Sequence, residues 1–132
     1  MAPETATQAW HVDASRFPGD GSDEDQLEFA LRYAILAPSG HNTQPWRFRI
    51  RGDTVEVHAD RMRALAIVDP AGRELVISCG AALFLLRLAL RRFHHAPEVA
   101  LLPEPGEPTL LARVALGQPV EPTRDEAALA EA

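Results

Sequence analysis

The stretch "APSGHNTQPWRFRIR", Ala37 to Arg51, joins two kinds of sequence. Before it, apolar residues recur at helical spacing. Within it, Trp46, Phe48 and Ile50 alternate with Arg47, Arg49 and Arg51, which is the period of a strand with one buried face. Pro38 biases Ala37 away from helical geometry, so a helix is expected to end near there. Between the two elements lie Ser39, Gly40, His41, Asn42, Thr43 and Gln44, more donors and acceptors than a connector requires. Such a loop suits a flat, polar-edged heterocycle, whose carbonyls and ring nitrogens need partners at fixed positions. Equally, Ser and Asn can cap their own turns. The residues alone leave both readings open.

Working outward, Ser22 and Asp25 form a capping box of the Asp type, and Asp23, Glu24 and Asp25 suit the positive end of a helix dipole. Leu27, Ala30, Leu31, Ala34 and Ile35 give this helix one buried face. Residues 1–21 show no period, end in "FPGDG" and are expected to form a flexible arm. After the loop, Gly52-Asp53 reads as the turn of a hairpin. Val55, Val57 and Ala59 then alternate with Glu56, His58 and Asp60, so that acids can pair with the arginines across the strands. The triplet Arg51-Gly52-Asp53 is read as part of this turn rather than as an adhesion motif.

Asp69-Pro70-Ala71-Gly72 is a second turn signal, followed by a long helix from Arg73 to Phe93. Leu75, Cys79, Ala82, Leu83, Leu86, Leu90 and Phe93 make one stripe. Val76, Phe84, Leu85, Leu88 and Ala89 widen it until the helix is apolar nearly all round, which predicts a central, buried element. Gly80 in its interior implies close approach of a backbone or ligand. Two strand-like runs, Val99–Leu102 and Leu110–Leu116, flank a Pro-Gly loop, and Thr123 is positioned to cap a short Ala-rich helix. The expected organisation is an arm (1–21), an α+β domain with an antiparallel sheet packed on a hydrophobic central helix (22–117), and a linker with the start of a helix (118–132).

The chain has 132 residues, 46% hydrophobic and 24% charged, the profile of one soluble domain. A net charge of −6 argues against a nucleic-acid partner. The single cysteine, Cys79, sits in an apolar run and reads as a buried, inert thiol that excludes an internal disulfide. The N-terminal residues carry no signal-peptide pattern, and "ALFLLRLAL" is too short to span a bilayer and is broken by Arg87. A cytoplasmic protein without a membrane partner is expected. No Gly-x-Ser-x-Gly elbow or Gly-x-Gly-x-x-Gly fingerprint is present. His94 and His95 are read as a solvated helix end, favourable to the dipole, and His58 as a surface residue. Arg87, Arg91 and Arg92, with Arg61, Arg63 and Arg73, read mainly as solvated faces.

"APSGHNTQPWRF" resembles the nitroreductase signature, in which a helix ends in Ala-Pro-Ser, an Asn follows, and Gln-Pro-Trp opens a strand. With "HADRMRALAIVDPAGRELVISCGAALFLLRLALRRF", it more specifically resembles the internally duplicated, Acg-like branch of that family, from about Leu27 to Leu116. The resemblance implies half of a nitroreductase-like fold and FMN as cofactor, with NAD(P)H as electron donor and a nitro or quinone compound as acceptor. It implies flavin contacts at Pro38, Ser39, Gly40 and Asn42, with Gln44, Pro45 and Trp46 placing the strand. His41 either donates to a flavin carbonyl or holds the loop. The family's early phosphate anchor is reduced here to Arg16 and Phe17 in "DASRFPGDG", and the duplicated branch carries a further anchor beyond the region where this sequence stops. The expectation is therefore the first half of a flavoprotein, completed as a homodimer or by a second-half partner. A non-enzymatic flavin-binding module, or a structural partner of a separate second half, is the alternative.

Overall fold

A computed structural model of the chain describes residues 12–39, 44–60 and 73–121, together with Arg124. The turn expected at Asp69–Gly72, the helix capped by Thr123, and Arg61 and Arg63 lie outside the described residues. Helix α1 spans Asp23–Ala34, strands β1 and β2 span Trp46–Arg51 and Thr54–Ala59, helix α2 spans Arg73–Arg92, and strands β3 and β4 span His95–Leu101 and Leu110–Pro119. The four strands form one antiparallel sheet in the order β1-β2-β4-β3. This is the α+β arrangement expected from the sequence.

Local signals act as their chemistry dictates. Ser22 accepts from the Asp25 amide at 3.2 Å, and the Asp25 carboxylate accepts from the Ser22 amide at 3.3 Å, completing the capping box. The helix closes about one turn before Pro38. Leu36 N–H donates to Tyr33 O and Ala37 N–H to Ala34 O, both at 3.1 Å, so the chain tightens to three-residue spacing as the proline approaches. At the β1–β2 turn Gly52 takes φ +61°, a left-handed conformation that glycine adopts freely.

The core lies where both helices meet one face of the sheet. Leu27, Ala30 and Ala34 of α1 pack with Leu75, Cys79, Ala82, Leu86, Ala89 and Leu90 of α2. The sheet contributes Trp46, Val55, Val57, Ala59, Ala112, Val114 and Leu116 to the same cluster. Leu27, Leu86 and Leu90 are fully buried, and burial of each such side chain is worth about 1.5–3 kcal/mol. The expected stripe of α2 is thus the buried one, apart from Leu83, which is only partly covered.

Three features depart from the sequence-based expectations. Residues 12–21, assigned to an arm, carry a 3-10 turn at Ala14–Arg16, and Phe17 stacks on Phe93 with centroids 4.1 Å apart. Phe29 packs edge-on to both rings, so two helices hold this segment. His95 is not part of a solvated helix end. It opens β3, half-buried, with Nε2 2.8 Å from Gln26 Oε1, whereas His94 stays exposed near Glu121 at 3.5 Å. Of the two expectations for Gly80, close approach of a backbone is not met among the described residues: a Cβ there would find nothing within 4 Å. It borders an open apolar groove of about 230 Å³ between α2 and the β3–β4 end of the sheet.

Gly117 is where backbone freedom is indispensable. The β3–β4 register shifts between Ala96 and Glu98, so that Leu116 and Gly117 together oppose Pro97, a residue with no N–H to give. Gly117 has φ +73°, and a Cβ there would run into the Ala96 carbonyl. We expect Gly117→Ala to destabilise the fold by at least about 1–3 kcal/mol, read as a lower urea midpoint at unchanged slope.

Candidate functional site

The candidate segment begins at Pro38, one turn beyond the end of α1, and enters β1 at Trp46, and its two ends are fixed to each other. Gln44 N–H donates to Ser39 Oγ at 3.0 Å. This bond holds Gln44 near φ +48°, a left-handed conformation costing a non-glycine residue about 1–2 kcal/mol. Pro45 follows, buried, and its carbonyl accepts from the Asp60 amide at 2.8 Å and from Cys79 Sγ at 3.5 Å. Trp46 is then 7% exposed and anchors the start of β1 in the core. Ser39, Gln44 and Pro45 therefore form a neck tied to β1, to the end of β2 and to α2.

Of the residues expected to contact a ligand, Pro38 is exposed at the neck, Ser39 is half-buried and Gln44 closes the neck. Gly40, His41 and Asn42 lie outside the described residues. Among the described residues, the Ser39 hydroxyl accepts from the Gln44 amide and donates to no partner. Cys79, read from sequence as an inert thiol, is indeed buried, but it also ties α2 to the neck through Pro45. No local signal could have revealed this bond, because the partners are 34 positions apart.

The opposite face of the sheet holds a second polar cluster. The alternation marks His58 as a surface residue, yet its side chain is only 14% exposed and Nε2 lies 3.3 Å from Glu56 Oε1. Glu56 itself is buried, and Arg113 reaches Glu56 Oε2 at 3.3 Å while also approaching Glu104 at 3.5 Å. Arg51 stands 3.9 Å from Glu56, the kind of cross-strand pairing that the hairpin pattern predicts. Sequence could not show Arg113, which is brought opposite Glu56 by β2–β4 pairing.

Burial pushes the Glu56 carboxyl up, but hydrogen bonds from His58 and Arg113 and the charge of Arg51 outweigh it. The group is held below its ordinary value. A carboxylate depressed in the folded state stabilises above its unfolded value, about 4.5, and that contribution is lost as pH falls through the folded value. Glu56→Gln should lower stability near pH 7 by about 1–3 kcal/mol. It should also weaken the fall in stability below pH 4.5, measured by urea titration across pH.

With the geometry in view, the chain can be set beside known proteins. No protein-family model matches it. It is 37% identical over 110 residues to a Mycobacterium tuberculosis (strain H37Rv) protein named "Putative NAD(P)H nitroreductase", a match covering 83% of this chain and 32% of that protein. It is 37% identical over 90 residues to "Putative NAD(P)H nitroreductase acg" of the same organism, covering 68% of this chain and 27% of that protein. A nitroreductase family protein from Streptococcus pneumoniae TIGR4 superposes with a TM-score of 0.55 at 20% identity, covering 74% of this chain and 82% of that chain. The chain thus spans about a third of the length of the curated relatives it matches. Among the described residues, no helix is long and apolar enough to cross a membrane.

Proposed function

Because the chain belongs to the nitroreductase family and carries a nitroreductase-like fold, we infer that Pro38, Ser39, Gly40, His41, Asn42 and Gln44 face the isoalloxazine ring of FMN in a cytoplasmic, NAD(P)H-dependent oxidoreductase. The observation that carries this reading is the clamped neck: Ser39 and Gln44 joined at 3.0 Å, with Pro45 fixed by Asp60 and Cys79. A loop that only reversed the chain would not need anchoring to two strands and a helix. The tie pre-positions the loop's polar groups, so that little ordering remains when a ring binds.

The described residues fit the ring end of FMN. Ser39 offers its proton to a ring acceptor while its oxygen is held by Gln44, and exposed Pro38 presents an apolar edge beside it. In this proposal Gly40, His41 and Asn42 complete the contact. FMN, when bound, supplies the redox chemistry, accepting hydride equivalents from NAD(P)H and returning them to a nitro or quinone acceptor. The phosphate end is different. Arg16, the remnant of the expected anchor, has a side chain 79% exposed and lies 3.9 Å from Asp13, too solvated to hold a dianion by itself.

The proposal therefore assigns the phosphate cations to a second copy or to a second-half partner. Apolar surface supports such an assembly: Val76, Ile77 and Phe84 of α2, with Leu101 at the end of β3 and Leu102 just beyond it, are each 48–69% exposed. The same surface supports the alternative of a flavin-holding module or a structural partner without turnover.

Flavin affinity, apo stability and turnover test the reading. Asn42→Ala and Ser39→Ala should each weaken flavin binding by about 1–2 kcal/mol. Asn42→Ala should leave the melting temperature of the apo protein nearly unchanged. If Asn42→Ala instead unfolds the apo protein and spares affinity, the loop is a structural turn. FMN and riboflavin should bind the isolated chain weakly and equally, read by flavin fluorescence quenching. Strong preference for FMN would place the phosphate anchor within this chain. Flavin binding without NAD(P)H oxidation in the assembled protein would favour the holding module.

A further inference from the structure

Pro45 has no N–H, so its carbonyl is the one backbone group through which hydrogen bonds can hold it. Two donors from different elements meet at that oxygen. The Asp60 amide, just beyond β2, donates at 2.8 Å, and the Cys79 thiol, from the second turn of α2, at 3.5 Å. A carbonyl oxygen carries two lone pairs, so each donor has one to itself. Immediately before Pro45, Gln44 stands at φ +48°, although a residue preceding proline is ordinarily held to extended geometry. Such a backbone persists only where its surroundings over-determine it.

The three bonds at the neck differ in what they are anchored to. Gln44 N–H to Ser39 Oγ, at 3.0 Å, is internal to the segment. Asp60 N–H to Pro45 O continues the β1–β2 ladder past the Trp46–Ala59 pair, so it travels with the hairpin. Of the three, only the Cys79 bond refers the neck to the central helix. Cys79 is 1% exposed and sits on α2 between Leu75 and Ala82, which are themselves closed off in the core. Pro45 is buried as well, so water does not stand in for a lost thiol donor.

On the reading that the loop faces flavin, which this inference rests on, we propose that Cys79 is a positioning residue. Its S–H, acting through the Pro45 carbonyl, sets where the ring-binding groups of the loop stand relative to α2. It touches no flavin itself. A thiol is a weak donor, and its effect is expected in the placement of the loop rather than in the survival of the fold.

Serine and alanine have nearly equal volumes, so Cys79→Ser against Cys79→Ala separates the donor from the packing. Hydrogen exchange at the Gln44 and Asp60 amides reads the neck without any ligand, and quenching of riboflavin fluorescence reads the ring contacts. Both amides should exchange about two- to fivefold faster in Cys79→Ala than in Cys79→Ser, and riboflavin should bind more weakly by a similar factor. Leu86→Val, a core change on the same helix, should lower the melting temperature and leave riboflavin affinity unchanged. Equal exchange in the two Cys79 variants overturns the proposal. Where riboflavin binds, faster exchange with equal affinity also sinks it, leaving Cys79 as a tie without influence on the ring contacts. If even the unmodified chain binds no riboflavin, the flavin reading fails, while the exchange comparison still decides whether Cys79 sets the neck. The single cysteine of the chain also gives a single S–H stretching band. In the unmodified protein this band should lie below that of an unbonded alkanethiol in hexane. An unshifted band rules the bond out even if a variant fails to fold.

Discussion

A twenty-residue helix that is apolar on nearly every side cannot be covered by one neighbour, and α2 imposes that constraint on everything around it. Its Leu86 and Leu90 are fully buried, and Leu75, Cys79, Ala82 and Ala89 are closed off around them. The sheet must supply an unbroken apolar face, which is why Val55, Val57, Ala112 and Val114 all point the same way. Helix α1 must lie alongside with small residues, and Ala30 and Ala34 allow that close approach. Of the large apolar side chains left exposed among the described residues, Val76, Ile77 and Phe84 lie on the same helix.

The candidate site depends on that packing. Cys79 is held in the core by its position on α2, and from there its thiol reaches the Pro45 carbonyl. Asp60, at the end of β2, reaches the same carbonyl from the other side. The neck of the loop is thus fixed by the central helix and the sheet at once, and Ser39 and Gln44 close it. A perturbation of α2 near Cys79 would be transmitted to the loop through one carbonyl. This is a direct physical link between the most buried element and the most polar segment.

Polar groups elsewhere show how far tertiary pairing can override a local pattern. Period-two alternation correctly placed Glu56 and His58 away from the core, but it carried no information on what covers that face. Arg113 and Glu104 join Arg51 there because β4 inserts between β2 and β3, an order that chain succession does not suggest. His95 is a similar case: adjacent to a helix end, it reads as solvated, and only the tertiary fold brings Gln26 Oε1 to 2.8 Å from its Nε2.

The sequence by itself determined the elements and much of the core. Pro38, Gly52, the Ser22–Asp25 box and the apolar periods of α1, α2 and the hairpin act within a few residues, so their consequences are local and readable. The loop was legible for the same reason, as a run of polar residues between two opposed periods. Tertiary structure alone decided which strand sits beside which, where Gly117 must be left-handed to admit Pro97, and why Cys79, Arg113 and Gln26 matter. Those roles arise from single hydrogen bonds and ion pairs between residues tens of positions apart. No periodicity encodes such contacts, because each depends on the summed geometry of every element between its two partners.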